Sequence, residues 1–192
     1  RWILQLEDGS FLQVGKNQMA DFALYDGREL TEEELEDLRR AERHDRFQSY
    51  ALRVLMDTPM SRKRLVEHLC RKACPEEEAQ AIAQRMVDLG ALNEGWYAAE
   101  VARQYASRGY GPRRVRDELY RRGVPREHWD AALQEVEDWE EGMDAFLRKR
   151  LGGTAPDPKD LKRASDALAR RGYGWGEINA ALRRYGAEIE EE

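Results

Sequence analysis

Residues 103–126 read RQYASRGYGPRRVRDELYRRGVPR, with eight arginines against two acids, Asp117 and Glu118. The Gly-Tyr-Gly-Pro run at 109–112 opens a helical pattern and the Gly-Val-Pro run at 123–125 closes it, proline early and glycine late. With Val115 and Leu119 turned to a core, a 3.6-residue period places Arg113, Arg114, Asp117 and Arg121 on the opposite face. Arg116 flanks that face, and Arg122 lies nearer the seam. The segment predicts one helix with an apolar seam and a guanidinium-rich back.

The same pattern recurs twice. Upstream stand Ser61, Arg62, Lys63, Arg64 and Leu65, then Leu69, Arg71, Lys72 and Pro75; downstream stand Lys162, Arg163 and Ala164, then Leu168, Arg170, Arg171, Gly172 and Tyr173. Val115 lies 50 residues after Leu65 and 49 before Ala164, a period that marks tandem supersecondary units stacked along an axis. No unit buries its seam well alone. The predicted architecture is therefore all-α: three tandem three-helix repeats in an elongated, curved array, preceded by a small N-terminal β-hairpin and short helices. The expected divisions are 1–45 for the hairpin and an acidic helix, then 46–93, 94–141 and 142–192 for the repeats, the last carrying an acidic tail.

Composition agrees with a helical protein. Charged residues make up 36% of the 192-residue chain and apolar ones 41%, and helix formers dominate. A net charge of −6 argues against a generic nucleic-acid coat. The charge is segregated, however: residues 29–45 hold eight acids and three bases, while bases gather on the repeats. Cys70 and Cys74 form no disulfide framework and fit a reducing cytoplasm. No apolar run reaches membrane-spanning length and no signal peptide is visible, so neither a membrane nor a secretory route is expected. The first residue is Arg rather than Met, so a native start upstream is expected.

Along the chain, Trp2, Leu4 and Leu6 alternate with Ile3, Gln5 and Glu7, Asp8 and Gly9 offer a tight turn, and 11–14 form the return strand. A short helix is expected over 17–24. Thr31 and Glu34 make a capping box that starts an acidic helix through Leu35 and Leu38. A separate helix carries Phe47, Tyr50, Ala51, Val54 and Leu55 to the stop at Thr58 and Pro59. The remaining expected helices are 61–72, one after Pro75 to Gly90, 96–107, the arginine helix, 126–141, one from Met143, 159–171 and 175–185. Residues 93–95 and 141–142 read as hinges. Trp96, Trp129 and Trp175 read as core anchors.

Catalytic chemistry has little support. The Gly-rich loop at 109–112 lacks phosphate-loop spacing, and His44, His68 and His128 begin no H-E-x-x-H pattern. No cofactor is implied. His68, Cys70 and Cys74 suggest a metal only until the repeats are superposed: Cys74 corresponds to Val124 and Tyr173, and Cys70 to Tyr120 and Ala169. Ordinary side chains elsewhere favour packing over ligation. The candidate partner-binding residues are Lys63, Arg64, Arg71, Tyr110, Arg113, Arg114, Arg116, Arg121, Lys162, Arg163 and Arg170. The plain alternative is that Glu67, Asp117 and Asp166 each pair with the base four residues on, giving an ordinary solvated face. Against it stands the excess: each face keeps two bases beyond the pair.

These residues carry a family resemblance over nearly the whole chain. Ala51-Leu52-Arg53-Val54-Leu55, the stretch 61–69, Leu89-Gly90-Ala91-Leu92-Asn93-Glu94 and above all Arg108-Gly109-Tyr110-Gly111-Pro112-Arg113-Arg114-Val115 resemble the RecX family of recombinase regulators. The resemblance implies a bacterial cytoplasmic, non-enzymatic protein of three three-helix units that binds the RecA–DNA filament in its helical groove and restrains ATP hydrolysis and strand exchange. It implies RecA and DNA, single- or double-stranded and weakly held alone, as partners of a monomer. Two other readings stay open, a DNA-binding module acting by competition for DNA and a helical scaffold for another protein. Gly174 departs from the family pattern where the other repeats have Pro75 and Pro125.

Overall fold

The computed structural model describes residues 1–152 and 156–191, with side chains described as far as residue 186. The segment between the helix expected from Met143 and that expected over 159–171 falls partly outside these residues. Strands β1 (Trp2–Gln5) and β2 (Phe11–Val14) pair antiparallel with Trp2 opposite Val14 and Gln5 opposite Phe11. Helices follow: α1 (Lys16–Asp21), α2 (Glu32–Asp57), α3 (Arg62–Cys70), α4 (Glu76–Asp88), α5 (Glu94–Ala106) and α6 (Pro112–Arg121). A 3-10 turn at Arg126–His128 leads into α7 (Trp129–Gln134), then α8 (Glu140–Leu151), α9 (Pro158–Arg170) and α10 (Trp175–Glu191). The all-α reading with an N-terminal hairpin holds. Among the described residues, no helix is long and apolar enough to cross a membrane.

The chain divides into two compact units, Arg1–Pro59 with Leu65–Ala91, and Met60–Arg64 with Leu92–Glu192. In the first, Thr31 caps α2 as expected, accepting from the Glu34 N–H at 3.2 Å while Glu34 returns a bond to the Thr31 N–H at 2.9 Å. Two expected helices prove to be one. Residues 31–57 contain neither glycine nor proline, so nothing halts propagation between the acidic stretch and Phe47. The division expected at 45/46 therefore falls inside α2. His44 Nδ1 meets Glu78 of α4 at 2.8 Å, so Glu78 is more than a solvated first-turn acid.

In the second unit, Tyr97, Val101, Val115, Leu119, Val124 and Leu133 share one core, and Met143, Leu147, Ala164, Leu168, Tyr173 and Ile178 share another. The seam reads through all three repeats: Leu65, Val115 and Ala164 are fully buried, as are Leu69, Leu119 and Leu168. So does the turn that closes each basic helix. Ala73, Gly123 and Gly172 all take positive φ, and Cys74, Val124 and Tyr173 donate back to the carbonyls of Leu69, Leu119 and Leu168. This left-handed termination satisfies orphan carbonyls.

Some expectations fail locally. The helix expected over 126–141 ends at Gln134, because Asp138 Oδ1 accepts from the N–H groups of Glu140 and Glu141 and starts α8 early. The expected hinge residues Glu94, Gly95, Glu141 and Gly142 lie in first turns of α5 and α8, with Asn93 capping α5. Trp96 and Trp175 are about half exposed. The α5 seam runs through Tyr97, Val101 and Tyr105, one residue out of register with Trp96. Only Trp129 packs, its indole donating to the Val124 carbonyl at 3.0 Å.

Candidate partner-binding face

Within the second unit, the end of α9 meets the start of α6, and the end of α6 meets residues 61–64. At the N-terminus of α6, the N–H of Gly111 donates to the Arg171 carbonyl at 2.8 Å and that of Arg113 to the Gly172 carbonyl at 3.1 Å. Donors that a helix start leaves unpaired thus meet acceptors that a helix end leaves unpaired. At the other end of α6, the Arg122 carbonyl accepts from Ser61 Oγ, and Ser61 caps α3 by accepting from the Arg64 N–H at 3.3 Å. Negative helix end faces positive helix start at both joints, an arrangement the helix dipole favours. Glycine makes the first joint possible: a Cβ on Gly172 would sit 2.4 Å from the Arg114 nitrogen, and one on Gly111 2.7 Å from the Gly172 backbone.

Beneath α6 lies a buried ion pair. Glu118 accepts from Arg122 Nε at 2.7 Å and from Arg121, while Arg122 Nη1 donates to the Tyr97 hydroxyl at 2.9 Å. Burial pushes the Glu118 carboxyl up. Hydrogen bonds from Arg122 and Tyr105, with the charges of Arg122 and Arg121, outweigh it and hold the group below the usual carboxylate range. Desolvation lowers Arg122, but its bonds to Tyr97 and Glu118 more than restore it, so the guanidinium stays charged.

The expected pairing of each mid-helix acid with the base four residues on does not form. Arg71 Nε donates to the Glu67 backbone carbonyl at 3.2 Å, and Arg121 turns to Glu118 rather than Asp117. Arg116 meets Asp130 at 3.6 Å and Arg163 meets Asp160 at 3.3 Å. Among the described residues, no carboxylate lies within ion-pair distance of Lys63, Arg64, Arg113, Arg114, Lys162 or Arg170. All but the half-buried Arg114 are exposed. Tyr110 is half-buried, with its ring 5.2 Å from the Arg171 guanidinium and 5.4 Å from the Tyr105 ring. Arg171 also donates to the Arg108 and Gly109 carbonyls and stacks on Phe146.

Two basic concavities gather candidates with residues that the helical pattern alone does not single out. One of about 390 Å³ joins Lys63 and Arg121 with Tyr120, Arg126 and Trp129. The other, of about 460 Å³, joins Arg163 with Phe146, Lys149, Arg150, Asp160 and Arg171. Tyr120 was legible in principle: five residues from Val115, it falls off the seam. The two cysteines behave as packing residues. Cys74 is buried, and burial with the nearby Glu78 charge pushes its thiol up to about 11.

The recurring buried seam and closing turn, with basic helix faces carrying cations that meet no carboxylate among the described residues, define a helical-repeat protein. Residues 93–133 match the family model "RecX, second three-helix domain". The regulatory protein RecX of Xanthomonas axonopodis pv. citri (strain 306) is 38% identical over 135 residues, covering 69% of this chain and 83% of that protein. That of Stenotrophomonas maltophilia (strain R551-3) is 36% identical with the same coverage. A crystal structure of regulatory protein RecX matches with TM-score 0.76 at 19% identity, over 95% of this chain and 97% of that one, which shows the shared fold. The chain belongs to the RecX family.

Proposed function

We propose that this chain is a non-enzymatic regulator of the RecA recombinase that binds the RecA–DNA filament along its groove and restrains ATP hydrolysis and strand exchange. Its relatives are named regulatory proteins. The observation that supports the reading is the set of cations that meet no carboxylate among the described residues, Lys63, Arg64, Arg113, Arg114, Lys162 and Arg170, on helix segments joined in series. An exposed cation has no internal reason to be held there, and guanidinium groups bind carboxylate or phosphate with charge-assisted, often bidentate bonds. The same cations favour a second reading, in which the protein acts by occupying DNA. DNA-dependent ATP hydrolysis by RecA, with and without this protein at two DNA concentrations, separates them. Inhibition that persists when DNA is in excess supports filament binding; inhibition wholly relieved by excess DNA supports competition; no inhibition at either concentration overturns both.

A further inference from the structure

We infer that the concavity where α6 meets the first turn of α3 is a base-stacking subsite for single-stranded nucleic acid, with Tyr120 as the stacking platform. This rests on the reading that nucleic acid forms part of the surface the protein engages. The concavity lies within the second unit and holds about 390 Å³, within the range of small-ligand sites. Its cations are Lys63, Arg121 and Arg126, and no acid lines it. Arg121 is held at one edge by Glu118, and Arg126 lies 5.7 Å over the Trp129 ring, so two of the three charges are positioned beforehand. Lys63 is packed against Gly123, where a Cβ would come within 2.7 Å of its chain.

Tyr120 is the unexplained residue. It is 68% exposed, although it stands on a short helix whose core duties fall to Val115 and Leu119. The equivalent positions carry Cys70 and Ala169, so the repeat itself does not require an aromatic there. Trp129 is committed to the core through Val124. An exposed ring beside Lys63 and Arg126, with Arg121 held at the edge by Glu118, offers one base a stacking face and its flanking phosphates two cations, the combination that binds single strands without sequence preference. An acidic peptide would use the cations and leave the ring idle. The stacking face therefore favours nucleic acid.

The test measures fluorescence anisotropy of the full chain with a labelled oligothymidylate and with an abasic strand carrying the same number of phosphates. Tyr120→Ala is expected to weaken oligothymidylate about tenfold or more and to leave the abasic strand unchanged, while Tyr120→Phe keeps wild-type binding. Equal binding of oligothymidylate by wild type and Tyr120→Ala overturns the inference, as does a Glu-rich peptide of equal charge that binds more tightly and is weakened by the same variant. Parallel RecA ATPase assays keep this apart from the regulatory reading. Stacking lost with inhibition retained leaves base binding intact as a separate property, whereas ring-dependent binding by a wild-type protein that never inhibits RecA fails the regulatory reading alone.

Discussion

At the scale of single residues, the Glu118–Arg122 pair is the most consequential. Only 10% of the Glu118 side chain is exposed and 24% of Arg122, so Glu118→Gln leaves a poorly solvated guanidinium without its counter-charge. We expect a loss of roughly 2–3 kcal/mol, at or below the low end for breaking a buried pair because Arg122 keeps some water. The Glu118 carboxyl is depressed in the fold, so its contribution is present above the unfolded carboxylate range and lost as pH falls through the folded value. Denaturant melts from pH 7 down to 3 should therefore show a shallower acid limb in Glu118→Gln; parallel limbs would remove the pair from the acid response. Cys74 offers a second check. With its thiol near 11 and buried, it should resist a thiol reagent at pH 8 in native protein while Cys70, only partly buried, reacts. Equal native labelling of the two would contradict that burial. The seam was legible in the sequence at this scale, and the half-exposed Trp96 was not. Large aromatics suggest a core by size alone, but a helix turns 100° per residue, so one step from the seam carries Trp96 to the outer flank.

At the scale of elements, the sequence showed the basic helices and their period but concealed how their ends join. Joints form between backbone groups, and hydrophobic periodicity says nothing about which carbonyl meets which N–H. The clue lay in the recurring glycines. Gly172 combines positive φ with a backbone contact at 2.4 Å, whereas a Cβ on Gly123 meets side-chain atoms of Lys63, the nearest at 2.7 Å and its Cβ at 3.0 Å. Gly172→Ala should thus cost upwards of about 2 kcal/mol, the left-handed strain plus a clash that must open the joint. Gly123→Ala should cost less, about 1–2 kcal/mol, the strain plus a shift of the Lys63 side chain. The third position runs the other way: Ala73 already holds φ +63, so Ala73→Gly should stabilise by up to about 1 kcal/mol. Thermal melts of the three variants test the ordering, and a harmless Gly172→Ala would refute the joint. The continuous α2 was hidden for a related reason. A change from acidic to apolar composition resembles a boundary, yet composition alone does not end a helix, and 31–57 holds neither a glycine nor a proline to break it.

At the scale of the whole molecule, a net charge of −6 coexists with cations that face no carboxylate among the described residues, so the protein's response to salt reports which partner those cations meet. If they meet phosphates alone, removing one cation lowers the log–log salt slope for a single strand by about 0.7. The variant Lys63→Ala, Arg64→Ala, Arg113→Ala, Arg114→Ala should fold, since these side chains make no ion pair among the described residues and alanine favours helix. Its melting temperature is expected within a few degrees of wild type. Its binding to free DNA should fall and become less salt-dependent, by up to roughly three units of slope for four cations. Inhibition of RecA ATPase should weaken as well, yet a mixed interface that includes protein–protein packing retains part of its strength as salt rises. Titrating inhibition from about 50 to 300 mM salt for wild type and variant distinguishes the cases. Wild-type inhibition that tracks DNA affinity at every salt concentration would assign the protein's action to occupying DNA. Full inhibition by the folded variant at all salt concentrations would detach the basic faces from function and leave them as solvated surface.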